Sequence, residues 1–484
     1  MSQSNLTERL TALISLPRDL LVGLVQSIEH ISTGTRVIVV IGLITTIAVW
    51  FWPIPQRPGI EFWVFADIHE QMYRPVVEAW NEDRPGASRD EQIHIFMIGA
   101  DPMVRRALAG FWSDTPVAAM MEIAESYSGL FFSGPLDEIG FVDLTDRLKE
   151  EGIYEQINEA SFSPWTSRGR IFGLPHDVHP VLLGYRADIV EAAGIDVSTI
   201  ETWEDFIRVM SPLISDLDGD GITDRYLLDF WYTSTPHIYA LCLQAGGGTF
   251  DQQERLILDS EANARVAATL VTWCLGEDRI MIDASHTNAS GHVIKTRGHV
   301  VATLMPDWLA GAYITQFPQF HGKMKIMPLP AWDPGGRRAS VMGGTMLAIN
   351  KASEHKEVCW EFAKEIYLSE ACARSLFESV HIISPVKSLW DKPFYRKRFD
   401  YFSGQRSGLL YIEHAEEVPL RTSSPFNQMA IDELGIAVSA VYRHAVARGI
   451  DDVDALLPVA REQMRLAEER VAHEMRRNVF VTQP

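Results

Sequence analysis

The sequence predicts an α/β fold in which sheets are wrapped by helices, preceded by one transmembrane helix. Two observations predict this arrangement. Residues 37–53 contain a long run without a single charged side chain. Beyond residue 59, short apolar segments alternate with segments whose apolar residues recur at helical spacing. Strands that alternate with helices of about 10–15 residues are typical of parallel sheets covered by helices.

The charge-free run, VIVVIGLITTIAVWFWP at residues 37–53, is expected to cross a membrane. A helix rises ~1.5 Å per residue, so the apolar part covers roughly 24 Å, the short end of a bilayer core. Arg36 precedes the run, and Trp50, Phe51 and Trp52 form an aromatic belt at its far end. A cleaved signal peptide is the main alternative, but the n-region would be unusually long and no small-residue cleavage site follows. A buried core helix is the third reading.

The first 36 residues are expected to form a cytoplasmic N-terminal tail. They carry Arg9, Arg18 and Arg36, and the excess of positive charge on the cytoplasmic side of membranes weakly favours this orientation. The remainder of the chain would then be an extracytoplasmic body, periplasmic or at the cell surface, held at the membrane by the N-terminal helix.

Composition restricts the possible partners. The chain has 484 residues and a formal net charge of −21, which argues against nucleic-acid binding because phosphates require a basic surface. The length beyond the run is sufficient for two domains. Its 4 cysteines, at positions 242, 274, 359 and 372, match no metal motif. Cys242 and Cys274 either pair as a disulfide or remain as buried free thiols.

The elements after residue 59 can be read in order. GIEFWVFAD is a strand, HEQMYRPVVEAWNED a helix, IHIFMIG a strand, ADPMVRRALAGFW a helix and TPVAAMMEI a strand. The alternation recurs at IFGLPHDVHPVLLGYRADIVEAAGI and from KMKIMPLPAW to TMLAIN. The last hundred residues are mostly helical, for example DVDALLPVAREQMRLAEERVAHEMRR.

Several stretches resemble one protein family in order and spacing. GRIFGLPHDVHPVLLGYRADIVEAAGID followed by TWEDF resembles the central signature of extracellular solute-binding proteins family 1, the sugar-binding, maltose-binding-protein-like components of ABC transporters. LCLQAGGGTFD, GHVVATLMPDWLAG, the segment from PLPAWDPGG to EIYLSEA, and HIISPVKSLW agree with it further along. The resemblance covers about residues 59–475.

This resemblance implies a two-lobed, periplasmic-binding-protein-like (type II) clamshell. The chain would cross between the lobes three times, near Leu174–Asp177, Pro328–Trp332 and His381–Pro385. The implied boundaries are residues 59–175 plus 332–380 for lobe one and residues 178–327 plus 386–475 for lobe two. A cleft between two rigid lobes lets one ligand contact both, so that its binding energy favours closure.

A sugar site needs aromatic platforms and hydrogen-bonding side chains. Trp308, just beyond a strand in MPDWLAG, is the leading platform, with a core tryptophan as the alternative. Glu125 best matches the acidic residue that binds sugar in the resembled family. The pair His176 and His179 lacks a third metal ligand, so hydrogen bonding in the cleft fits better. The further ligand-binding candidates are Asp67, Glu122, Asp177, His179, Trp231, His237, Arg421 and Phe426.

An acidic loop predicts a structural calcium ion. Its carboxylates occupy positions one, three, five and nine of a calcium-loop pattern, with Gly221 at position six for the turn. Position twelve is Leu227 and not glutamate, so this is not a complete EF-hand. The alternative is a turn without an ion. The expected ligands are Asp216, Asp218, Asp220 and Asp224, with the carbonyl of Ile222.

The sequence therefore predicts a binding protein and not an enzyme. It contains no GxSxG, HExxH, P-loop or CxxC pattern. The leading function is a membrane-anchored, extracytoplasmic solute-binding protein that captures a sugar or related polar solute and delivers it to the permease subunits of an ABC importer. The alternatives are a ligand-sensing module for a receptor and a carbohydrate-active enzyme.

Overall fold

The computed structural model describes residues 32–51, 59–84, 86, 88–113, 115–276 and 279–478. The chain divides into two units, Met1–Pro58 and Gly59–Pro484. The second unit contains all the sheets that the structure describes, so a cleft between two sheet-based lobes belongs to this unit.

The first unit contains one described helix, α1, at Thr33–Phe51. Its apolar side chains are exposed, for example Ile38 at 70% and Ile44 at 60%. Among the residues that the structure describes, no helix combines the length and the apolar character needed to cross a membrane. The predicted cytoplasmic tail up to residue 31 and the end of the predicted span at residues 52–53 lie outside the described residues.

The first sheet of the second unit has the strand order β2-β1-β3-β12-β6. The strands β1–β3 are parallel to each other because α2 and α3 carry the chain back between them. The strand β12 enters the sheet late in the chain and pairs antiparallel with β3. The strands and helices predicted for residues 59–124 are confirmed.

The second sheet has the order β10-β7-β9-β8, with β11 also paired to β7. Its long strands β7 and β9 read PVLLGYR and VVATLMP, and β9 is buried along its whole length. They run antiparallel, and only β8 and β9 are parallel. The expected parallel sheet is therefore mixed in the structure, because three of the four strand pairs of this sheet join strands of opposite direction.

The strands are β1 Ile60–Val64, β2 Ile93–Met97, β3 Met120–Ala124, β4 Thr166–Ser167, β5 Arg170–Ile171, β6 Leu174–Pro175, β7 Pro180–Arg186, β8 Tyr226–Leu228, β9 Val300–Pro306, β10 Met324–Met327, β11 Ser340–Val341 and β12 Thr345–Ile349. The helices after α1 are α2 Asp67–Glu82, α3 Ala100–Ser113, α4 Glu125–Phe131, α5 Thr145–Glu150, α6 Glu159–Phe162, α7 Ala187–Ala192, α8 Trp203–Met210, α9 Thr235–Gln244, α10 Glu261–Trp273, α11 Ala289–Thr296, α12 Asp307–Gln316, α13 Lys356–Leu368, α14 Glu370–Val380, α15 Ser407–Glu413, α16 Asn427–Arg448 and α17 Val453–Met475.

The chain passes between the two sheets at defined points. The first passage, residues 176–179, joins β6 to β7, and the second, residues 342–344, joins β11 to β12. The second passage lies later than the expected Pro328–Trp332, because Ser340 and Val341 still pair with β7. The third segment, His381–Pro385, follows α14 and runs beside the first, where the N–H of Val178 donates to the carbonyl of Ile383 at 3.2 Å.

The four cysteines are free thiols, and all four are buried. Cys242 and Cys274 therefore form no disulfide in the structure. Burial raises the pKa of the Cys274 thiol to about 12, so it is protonated and unreactive at neutral pH. All four act as small apolar side chains in the core, Cys242 and Cys274 on the side of the second sheet and Cys359 and Cys372 in α13 and α14.

Candidate functional site

Two glycines of the second passage lie close to side chains of both lobes. Gly343 has φ +94 and Gly344 φ +142, in the left-handed half of backbone space that favours glycine. A Cβ added at Gly343 would lie 3.0 Å from Nε1 of Trp308. A Cβ added at Gly344 would lie 3.1 Å from Nη2 of Arg421 and 3.4 Å from the Cβ of Glu125. The backbone thus brings the tryptophan of one lobe close to the acid of the other.

Glu125 and Arg421 form a charged pair that is almost closed off from solvent. Glu125 opens α4 directly after β3, and its N–H donates to the carbonyl of Gly344 at 2.9 Å. Nη1 of Arg421 lies 3.9 Å from Oε2 of Glu125, and the two side chains are only 4% and 11% exposed. Burial raises the pKa of the Glu125 carboxyl, and the charge of Arg421 opposes that rise.

The hydrogen-bonding capacity of this pair is only partly used. Oε1 of Glu125 accepts one long bond, 3.4 Å, from the amide of Asn427. Nε of Arg421 is buried and has no hydrogen-bond partner among the described residues, while its Nη1 donates to the carbonyl of Gly343. A carboxylate accepts and a guanidinium donates several bonds. The pair can therefore hydrogen-bond a polar ligand that supplies both donors and acceptors, as a sugar hydroxyl does.

Trp308 provides the aromatic face of the site. It is the second residue of α12, and its indole N–H donates to the carbonyl of Met342 at 2.9 Å. The side chain is half-buried, and the ring of His286 lies 5.8 Å away in a tilted arrangement. An indole fixed at its N–H edge keeps one orientation, which suits stacking against the apolar face of a sugar ring.

Asp177 and His179 lie on the first passage and bond to protein groups. Both side chains are buried, at 4% and 5% exposure. Nε2 of His179 lies 3.0 Å from Oδ2 of Asp177, and its Nδ1 lies 2.6 Å from Oδ1 of Asp307. Protein donors therefore engage Oδ2 of the Asp177 carboxylate, and the expectation that Asp177 accepts hydroxyl groups of the ligand stays a prediction that concerns its Oδ1.

Glu122 is also placed in the interior, and not in the cleft. Its side chain is fully buried, with Oε2 2.7 Å from Nδ1 of His69 and Oε1 accepting from the Tyr367 hydroxyl at 2.6 Å. Burial alone would raise the pKa of Glu122, but the nearby His69 lowers it overall. A ligand would have to displace both partners, so Glu122 is a structural carboxylate of the first lobe.

The remaining predicted residues are dispersed. Asp67 is exposed at the start of α2. Trp231 packs near Tyr232 and Tyr442, and no described contact joins it to Glu125 or Trp308. His237 stacks on Phe230 at 4.7 Å, and burial lowers its pKa to about 4, so it is neutral. Phe426 is half-buried directly before α16.

Three carboxylates of the acidic loop lie close together in the structure. One carboxylate oxygen from each of Asp216, Asp218 and Asp224 lies within 4.8 Å of the others. Asp216 accepts backbone N–H groups from Gly219 and Gly221, each at 2.7 Å. These bonds, above all that of Gly221, lower the pKa of Asp216. The carboxylate of Asp220 is not part of this group of three, and it accepts from the N–H of Ile222 at 2.8 Å. Asp220 is therefore less favourably placed than the other three to bind a cation.

Sequence reasoning missed three kinds of site residue. Gly343 and Gly344 lie in the SVMGGTMLAIN stretch, where a Gly-Gly pair before a strand signals close backbone approach. Asp307 precedes Trp308 and is fully buried. Asn427, held by the Thr249 hydroxyl through a 2.6 Å bond, carries no sequence signal.

Comparison with known proteins identifies similar chains. The family described as bacterial extracellular solute-binding protein matches residues 131–371. An arabinooligosaccharide-binding protein of Halalkalibacterium halodurans is 26% identical over 378 residues, covering 77% of this chain and 80% of the relative. One of Bacillus subtilis is 27% identical over 366 residues, covering 73% and 81%. A lactose-binding protein of Rhizobium radiobacter is 24% identical, covering 67% and 73%.

Solved structures share the fold. The sugar-binding protein MalE of Xanthomonas citri superimposes with a TM-score of 0.67 at 16% identity, covering 88% of this chain and 100% of that one. A binding protein of B. animalis subsp. lactis, solved with β-1,6-galactobiose, gives 0.62 at 15% identity and covers 86% and 98%. At such identities the likeness concerns the fold alone.

Proposed function

We propose that this chain, which belongs to the bacterial extracellular solute-binding proteins, captures an oligosaccharide between its two lobes. As a member of that family it is a binding protein and not an enzyme. The relatives named for arabinooligosaccharides extend over most of its length, which favours pentose oligosaccharides as its ligand class.

The observation that carries this proposal is the Glu125–Arg421 pair. A buried charged pair with unused donors and acceptors is costly unless a ligand completes its hydrogen bonds. Trp308 lies across Gly343–Gly344 from that pair and offers the apolar face that a sugar ring requires. Closure of the lobes on a ligand would satisfy both requirements together.

The lobe boundaries lie at the observed passages. Lobe one comprises residues 59–175 and 345–380, and lobe two residues 178–341 and 386–475. Each lobe is built on one sheet, and the return segment before α16 places Arg421 beside lobe one, where its N–H donates to the Ser163 hydroxyl at 3.0 Å.

A ligand panel tests the function. Residues 59–484 would be melted with arabinotriose, arabinose, lactose, β-1,6-galactobiose and maltose. A ligand that binds the native state at a hundred times its Kd stabilises by about 2.7 kcal/mol, which is roughly 3 °C for a chain of this size. Arabinotriose should raise the melting temperature most. A flat response to every sugar, with no heat of binding in calorimetry, would reject an oligosaccharide ligand.

The family implies a soluble domain outside the cytoplasm and a partnership with an ABC transporter. We propose that the two lobes dock on permease subunits when closed. The strongly acidic net charge of −21 argues against nucleic acid as the partner.

We also propose that a calcium ion binds the loop at Asp216, Asp218 and Asp224, with Asp220 and the Ile222 carbonyl completing the set. Without a cation the clustered carboxylates repel one another. Chelation should therefore lower the melting temperature, and Asp218→Ala should abolish that sensitivity. Asp90→Ala, an exposed carboxylate outside the loop, is the matched control and should retain it. An untagged domain insensitive to chelator would leave the loop as a simple turn.

We propose that the charge-free N-terminal run is a membrane anchor and that it is retained in the mature protein. Residues 37–52 carry no charge, and the described helix Thr33–Phe51 exposes its apolar side chains. Mass spectrometry of the membrane fraction should detect peptides from residues 1–36. A mature N-terminus near residue 57 would show instead that the segment is removed.

A further inference from the structure

One chain of hydrogen bonds joins all three passages between the lobes. Asp177, on the first passage, accepts from Nε2 of His179 at 3.0 Å and from the N–H of Thr345, at the end of the second, at 3.1 Å. The other ring nitrogen of His179 lies 2.6 Å from Oδ1 of Asp307 in lobe two. Oδ2 of Asp307 accepts from the N–H of Ile383, on the third passage, at 2.8 Å.

The centre of this chain is a buried imidazolium. Both ring nitrogens of His179 face carboxylate oxygens, which only accept, so both nitrogens must donate and the ring carries a charge. Asp177 and Asp307 are 4% and 0% exposed. Burial alone would lower the pKa of His179, but Asp177 first and then Asp307 raise it to about 10.

Unusual backbone conformations occur at the same three passages. His179 has φ +54 and His381 φ +62, and the second passage carries Gly343 with φ +94. A non-glycine residue in this region is strained and persists only where its surroundings fix it. The bonds of His179 to Asp177 and Asp307, called the His179 bridge below, fix the backbone at the point where the lobes must rotate.

We propose that His179 is a positioning residue at which the three passages are tied together, and that it sets the balance between open and closed lobes without touching the ligand. The role rests on the proposed capture of a sugar between the lobes. Asp307 also accepts from the N–H of Trp308 at 2.8 Å, so the bridge orients the aromatic platform. Without the imidazolium, two buried carboxylates would face each other unpaired and push the passages apart.

Other titratable groups surround the bridge. Nδ1 of His176 lies 3.0 Å from Asp177, and Tyr367 interacts with the charge of Asp177. Tyr395 and Tyr411 pack near the charge of Asp307, and burial raises the pKa of both, so they stay neutral. Because the folded-state pKa of His179 is raised, its contribution to stability is full below about pH 6.5 and is lost as the pH rises through about 10.

The test compares His179→Gln with the double variant His179→Gln/Asp307→Asn. Solution scattering without sugar reports how the molecules are distributed between open and closed lobes, and the melting temperature reports stability. The single variant should broaden the ligand-free distribution, lower the melting temperature and weaken arabinotriose binding about tenfold, within the usual range of coupling effects. Asp307→Asn should restore all three toward wild type, because it removes the unpaired carboxylate. The wild type should lose stability from pH 9 to 11 more steeply than the double variant.

His381→Gln is the matched control, since His381 is buried and left-handed, but among the described residues its ring bonds the Ser407 hydroxyl alone, at 2.9 Å. Asp307→Asn should not rescue it. A single variant equal to wild type, or a double variant no better than the single, including the case in which neither folds, would overturn the proposal. Scattering without sugar keeps this outcome separate from the ligand panel, which tests the proposed function alone.

Discussion

Replacing Glu125 with glutamine is expected to weaken oligosaccharide binding by about 2 kcal/mol or more, roughly 30-fold, with little loss of stability. The carboxylate accepts hydroxyl groups and balances the buried charge of Arg421 at 3.9 Å. The fold should tolerate the change because burial already disfavours the charged form, as the raised pKa of Glu125 indicates. Calorimetry with the sugar found by the panel, together with melting, measures both effects.

Glu122→Gln is the matched control, because it makes the same chemical change three residues earlier. Its carboxylate bonds His69 and Tyr367 in the interior of lobe one. Loss of a buried, charge-assisted pair of bonds should cost about 1.5–3 kcal/mol of stability and leave the sugar affinity nearly unchanged. If Glu122→Gln abolished binding and Glu125→Gln did not, the ligand would lie elsewhere than beside Arg421.

The other half of the pair gives an independent check. Arg421→Ala should lose binding to a similar extent, whereas Arg406→Ala, an exposed arginine of lobe two with no ion pair among the described residues, should not. Removing Arg421 also removes the charge that opposes the raised pKa of Glu125. Residual binding of Arg421→Ala should therefore decrease on acidification at a higher pH than in wild type, as Glu125 becomes protonated.

The fold could largely be predicted from sequence because its signals are local. The apolar runs of β1–β3 and the helical periods of α2 and α3 specify their own elements. The sequence predicts the second passage earlier than the structure has it, because β11 has only two residues, Ser340 and Val341, and pairs with the distant β7. A two-residue strand has no periodicity, so only the tertiary pairing defines it.

The site was harder to predict because residue type does not determine burial. Glu122 lies within β3 and Glu125 directly after it, and these positions place Glu122 in the interior and Glu125 beside Arg421. Asp177 lies on the first passage beside His179, and His179 also bonds Asp307, which is 128 residues away in sequence. Such pairings depend on the folded chain and leave no pattern in the sequence.

Replacing Trp308 with alanine is expected to reduce sugar affinity by about 1–3 kcal/mol, or roughly 5- to 150-fold. A half-buried indole covers on the order of 100 Å² of a stacked ring, at about 25 cal/mol per Å². Trp308→Phe keeps an apolar face but loses the 2.9 Å bond from the indole N–H to Met342. It should therefore retain most of the affinity if stacking carries the interaction.

The control is Trp112→Ala, which removes a tryptophan that is 83% exposed on lobe one and should leave binding and melting unchanged. Two outcomes are informative against the platform role. If Trp308→Ala lowered the melting temperature sharply with unchanged affinity, Trp308 would be a packing residue. If Trp308→Phe and Trp308→Ala lost affinity equally, the indole–Met342 bond would be the important feature, because it fixes the second passage at Gly343. The phenylalanine variant therefore separates the stacking of Trp308 on the ligand from the hydrogen bond by which Trp308 fixes the second passage.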